Sequence, residues 1–96
     1  MQQQSIQLTD TIAVNEDVLA TELDGEISML HIDSGNYYTL DGVSSDIWLL
    51  AKSPITVQSI VSRLLDMYDV DEPTCTAQTI EFIHNLVYLK LIRIVA

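Results

Sequence analysis

The 96-residue sequence predicts an α+β domain in which a three-stranded antiparallel sheet is followed by three helices. Three observations carry this. β-prone runs cluster in the first 40 residues, the apolar period changes from two to 3.6 after Leu40, and strands and helices do not alternate along the chain. With 48% hydrophobic residues and only three Gly and two Pro, the composition is that of one packed domain and not of a disordered chain.

The opening Met1-Gln2-Gln3-Gln4 reads as a solvated tail, so residues 1–10 are expected to be disordered or flexible and residues 11–96 to form the domain. Thr11-Ile12-Ala13-Val14 is a short β-prone stretch that Asn15-Glu16-Asp17 breaks. Val18–Leu23 and Glu26–Ile32 flank Asp24-Gly25, the dipeptide that favours a two-residue type I′ turn, and therefore form a hairpin. That turn sets Leu23 opposite Glu26, Ala20 opposite Met29 and Leu19 opposite Leu30. Leu19, Leu30 and Ile32 then share one face, with Ala20, Ile27 and Met29 on the other. Asp33-Ser34-Gly35-Asn36 reverses the chain into a third strand, Tyr37-Tyr38-Thr39-Leu40, with no obvious strand to cover its far side.

Asp41 is the expected N-cap of a first helix, with Val43, Ile47, Leu50 and Ala51 on one face as far as Lys52. Ser53-Pro54 interrupts it, Thr56 caps a second, and Val57, Ile60, Val61, Leu64, Leu65 and Tyr68 keep its apolar period. Asp69 to Pro73 stops that helix. A third runs from near Thr74 to about Leu89, with apolar residues spread over more than one narrow stripe. Leu91-Ile92-Arg93-Ile94-Val95 fits either a short closing strand or the packed end of that helix.

Charge is the strongest compositional signal. The net charge is -10, nine of the fourteen acids lie between Asp10 and Asp46, and the first basic residue is Lys52. Such a surface repels phosphate backbones and anionic membranes and favours cationic partners. The first sixteen residues hold neither a basic cluster nor a continuous apolar core, so no secretory signal is expected. Apolar runs such as Leu86-Val87-Tyr88-Leu89 end at Lys90, far short of a membrane span. The lone Cys75 suits a reducing compartment, which makes cytoplasmic residence the default.

The materials for chemistry are sparse. Cys75 and His84, nine residues apart, fall on opposite sides of one helix, and His31 lies on a strand. One Cys and two His do not make a zinc site, no Glu closes a calcium loop opened at Asp33, and no Gly-Lys-Ser or Gly-Lys-Thr follows any Gly. Neither catalysis, nor a metal, nor a cofactor is expected. The outline is winged helix-turn-helix-like, but the second helix carries only Arg63, and the ribbon that would be the wing holds Glu22, Asp24, Glu26 and Asp33. No nucleic-acid partner is expected.

Read in order, Leu23-Asp24-Gly25-Glu26, Leu30 to Asp33, Gly35-Asn36-Tyr37-Tyr38-Thr39-Leu40, Ile47-Trp48, Thr56-Val57, Ile60-Val61 and Leu64 form one pattern. Tyr68-Asp69-Val70, Phe82-Ile83, Leu86 and Leu91-Ile92 continue it. Over residues 14–95 this resembles the PqqD-like family, the recognition elements for leaders of ribosomally synthesised and post-translationally modified peptides. The resemblance implies a non-catalytic adaptor that takes the leader segment of a precursor peptide as an added strand and presents it to a modifying enzyme. The docking edge would be Asn36, Tyr37, Tyr38, Thr39 and Leu40, with Leu30 and Ile32 on the same sheet. Across the cleft, Ile80, Ile83, His84 and Val87 of the third helix would face the peptide, with Phe82, Leu86 and Leu89 in the core; the opposite allocation of the two faces stays open. Free-standing chains of this size resemble the leader-binding proteins of lasso-peptide biosynthesis, whose partner is a transglutaminase-like leader peptidase. Two alternatives stand beside this: the peptide chaperone of pyrroloquinoline quinone biosynthesis, and a general protein-interaction or transcription-factor-like winged-helix domain.

Overall fold

The computed structural model describes residues 6–95, so residues 1–5 of the expected tail, and Ala96, lie outside it. The chain runs β1 (Thr11–Val14), β2 (Val18–Leu23), β3 (Glu26–His31), β4 (Asn36–Leu40), α1 (Gly42–Leu50), β5 (Ile55–Thr56), α2 (Val57–Met67), α3 (Glu72–Tyr88) and β6 (Ile92–Val95). The fold is α+β with three helices, and it holds two three-stranded antiparallel sheets, ordered β2-β3-β4 and β5-β1-β6.

The meander β2-β3-β4 forms as its turn residues dictate. Asp24 (φ 54°) and Gly25 (φ 81°) both take the left-handed conformation that a type I′ turn requires, and Leu23 faces Glu26 across it. At the second reversal, His31 is buried and its Nδ1 accepts the Ser34 N–H (3.2 Å), which fixes the turn that delivers β4. His31 therefore has a structural task.

The second sheet gathers distant segments. Thr11 and Ile12 pair with Thr56 and Ile55 on one side, and all of β1 pairs with β6 on the other. The chain's final segment is thus a strand. Ile6 is buried in the core, and the Leu8 and Asp10 carbonyls accept N–H groups from Gln58 and Val57 (3.0 Å each). Within the tail expected over residues 1–10, Ile6 is thus anchored in the core and the backbone of Leu8 and Asp10 is bonded to α2, while Gln7, Leu8 and Thr9 are exposed.

Helix starts follow the caps with one exception. The Thr56 side chain accepts the Ser59 N–H (3.1 Å) and the Asp71 carboxylate accepts the Thr74 N–H (3.1 Å). Asp41 sits at the N-cap of α1 without a side-chain cap bond; Gly42 follows at φ 57°, and Ser45 Oγ donates back to its carbonyl at 2.8 Å. Ile27 and Met29 from the sheet meet Ile47 and Trp48 of α1, Ile60 and Leu64 of α2 and Ile83 of α3 in one apolar cluster. The packing leaves α1 directly after β4 and beside the first turns of α3, which is what builds the site.

Candidate functional site

Two features stand side by side: a strand edge and an apolar cavity. Within its sheet, β4 pairs only with β3. Which β4 residues turn their backbone outward follows from the register. The Ile32 N–H donates to the Asp17 carbonyl at 2.9 Å, so Ile32 and, by alternation, Leu30 and Ser28 direct their backbone groups to the β2 side. Ile27, Met29 and His31 then bond to β4, where they face Leu40, Tyr38 and Asn36. Tyr37 and Thr39 are left with N–H and C=O directed to the open side.

This refines the expectation that Asn36 to Leu40 all serve the edge. The Tyr38 backbone belongs to the β3–β4 ladder, and its side chain and that of Leu40 are half-buried against the core. Tyr37, 76% exposed, and Thr39 turn their side chains to the outer face of the sheet. Leu30 is half-buried and Ile32 exposed on that same outer face.

The cavity, of about 450 Å³, opens just beyond the end of β4. Val43, Ser44 and Ile47 of α1, Leu64 of α2, Tyr68 to Val70 of the following linker, and Cys75, Gln78, Thr79 and Phe82 of α3 line it. Leu40 and Val43 are three residues apart, which keeps the cavity wall within about 11 Å of the strand. The Tyr68 hydroxyl donates to the Asp46 carboxylate, tying the end of α2 to α1 at the rim. That bond, then burial and the charge of Asp46, raises the Tyr68 pKa above the ordinary phenol value. Cys75 is buried at the wall, its Sγ 3.9 Å from Thr79 Oγ1.

The cavity falls on a different flank of α3 from the one expected. Gln78, Phe82 and, in a shallower depression beside it, Asn85 make that flank. Ile80, His84 and Val87 lie roughly 160° away round the helix axis, all half-buried. Ile83 is completely buried in the core, so it offers no open surface. Phe82, expected in the core, is half-buried and bridges core and cavity. An apolar stripe in sequence marks only what a helix buries; which flank borders the opening depends on where α1 is set down, and the polar Gln78 and Thr79 gave no signal of it.

Among the described residues, no three His, Cys, Asp or Glu are grouped to hold a metal, and no helix is long and apolar enough to cross a membrane. Comparison with known proteins decides the family. The profile of the family described as Coenzyme PQQ synthesis protein D (PqqD) matches residues 26–92. The chain belongs to the PqqD family. Among solved structures, this PqqD-family chain is similar to "TbiB1 in Complex with the TbiA(beta) Leader Peptide", at 30% identity and a TM-score of 0.82, over 88% of this chain and 98% of that one. It shares its fold with "Lasso peptide synthetase B1 complexed with the leader peptide" at 13% identity and a TM-score of 0.76, over 85% of this chain and 96% of that one. Comparison with curated protein sequences gives no significant match.

Proposed function

We propose that this chain is a non-catalytic adaptor that binds the leader segment of a ribosomally synthesised precursor peptide and delivers it to a maturation enzyme. The observation that carries the reading is the open edge of β4, with Tyr37 and Thr39 facing outward, followed three residues past the strand's end by Val43 in the wall of an apolar cavity. An extended segment laid along that edge gains main-chain hydrogen bonds, and its apolar side chains beyond the strand's end have a pocket to enter. The likeness to TbiB1, solved with a leader peptide, supports the same ligand class here. The resemblance of the sequence pattern to free-standing leader-binding chains favours the lasso-peptide type over pyrroloquinoline quinone biosynthesis, and with it a transglutaminase-like leader peptidase as the receiving enzyme.

The adaptor does no chemistry of its own. Cys75 is buried beside Thr79 rather than paired with a base, and His31 is taken up by Ser34. Acids crowd the N-terminal half that forms the edge, so a leader flanked by Lys or Arg gains from steering as well as pairing. The test is fluorescence anisotropy of a labelled leader peptide, taken from the precursor gene nearest to this one, titrated with the protein at low and high salt. Saturable binding that weakens modestly with salt is the expected result. A folded sample that does not bind sinks the reading, and loss of leader processing on Cys75→Ala with peptide binding intact would overturn the non-catalytic assignment.

A further inference from the structure

The outer face of β2-β3-β4 carries its own internal control. An antiparallel sheet with one face on the core normally shows polar residues on the other, and the row Thr21, Ser28, Thr39 obeys this. The next outward row, two residues along each strand, is Leu19, Leu30, Tyr37, and it is wholly apolar. Leu19 is 61% exposed and Tyr37 76%, while Leu30, between these two cross-strand neighbours, is half-buried. Ile32, beyond the end of β3, adds a further exposed apolar side chain (54%) on the same face. Among the described residues, none of this row belongs to the core cluster or packs against it.

Its surroundings decide what can cover it. Glu16, Asp17 and Asp33 border the row at one end, Asp24 and Glu26 occupy the hairpin tip at the other, and the chain has no Lys or Arg before Lys52. A second copy of this chain, itself of net charge -10, would bring two acidic rims together. An apolar centre bordered by these carboxylates instead complements a protein surface with an apolar centre ringed by Lys and Arg. From this we infer that the outer face of β2-β3-β4 is the docking surface for a folded partner protein of that kind. The inference rests on the adaptor reading above, which supplies the partner as the maturation enzyme that receives the leader. Because Tyr37 stands on the strand whose edge takes the peptide, the docked enzyme sits directly beside the segment it is to process.

The test separates the two surfaces. Leu19→Ser removes an exposed side chain on the strand farthest from the peptide edge, and Thr21→Arg sets a cation on the same face without touching the apolar row. Each variant and the wild type are titrated calorimetrically with the maturation enzyme encoded nearest to this gene, and in parallel by anisotropy with the labelled leader. The expected result is a loss of enzyme affinity of about tenfold or more in each variant, with leader affinity within about twofold of wild type. Enzyme binding by the wild type should also weaken as salt rises. Unchanged enzyme affinity in both variants overturns the inference, as does wild-type protein that binds the leader but not the enzyme. Sedimentation showing a dimer that Leu19→Ser dissolves would assign the face to a second copy and overturn it as well. Failure of the leader to bind wild type is a different result, which removes the adaptor reading itself.

Discussion

Proline placed at Thr39 should abolish most peptide capture while leaving the fold intact, and the same change one residue earlier should not be so selective. An incoming strand that pairs with Tyr37 and Thr39 exchanges N–H and C=O bonds with each, four in all. Thr39→Pro deletes one donor, and the ring's Cδ occupies the side from which the strand approaches, so the neighbouring bond is lost with it. At about 0.5–1.5 kcal/mol net per bond, two lost bonds amount to about 1–3 kcal/mol, or roughly a 5- to 150-fold rise in Kd. The β3–β4 ladder uses Asn36, Tyr38 and Leu40, so it survives Thr39→Pro. Tyr38→Pro instead breaks that ladder in its middle and should lower thermal stability before it says anything about binding. Anisotropy with the labelled leader, together with a thermal melt of each variant, measures both effects. A Thr39→Pro protein that melts like wild type and binds within about threefold of it would refute the assignment of the Tyr37–Thr39 edge as the capture site.

Three further outcomes follow from the same geometry. Val43→Trp, at the exposed entrance of the cavity, should fill part of the space and weaken leader binding by about tenfold with little change in stability, measured by anisotropy and urea melts. Ile83→Ala should cost about 2–5 kcal/mol in urea denaturation, because the side chain is completely buried in the core; a loss confined to peptide affinity would return Ile83 to the groove. Hydrogen bonds from the Thr74 side chain and N–H hold the Asp71 carboxyl below the usual carboxylate range, so its ionised form stabilises the start of α3. That contribution is complete above the unfolded-state value and is lost as pH falls through the lower folded value. Asp71→Ala should therefore be less stable than wild type near about pH 6 and converge on it near about pH 2, as read by denaturation at the two values.

The sequence by itself determined the local elements. Asp24-Gly25 fixed the hairpin and its register, since a two-residue turn with both φ values positive leaves one pairing, and Leu19 does face Leu30. Thr56 set the start of α2, the change of period after Leu40 set the order of sheet and helices, and the family was legible in the spacing of apolar and turn residues. What depended on segments far apart in the chain was not. The pairing of β1 with both β5 and β6 joins residues 43–45 and 78–84 positions apart, and a two-residue strand such as Ile55-Thr56 has no period to detect. Burial of Ile6 likewise follows from a core that the sequence assembles from distant segments. The site shows the division most clearly. The open edge was readable as strand, but which of its residues face outward is set by the alternation inherited from the β2–β3 pairing, and it excludes Tyr38. The apolar stripe of α3 was readable too, yet the opening lies on the Gln78–Phe82 flank, because α1 follows β4 so closely that it leaves its gap there. Local propensity fixes which elements form and how neighbours pair; the surfaces left between them exist only once the elements are packed.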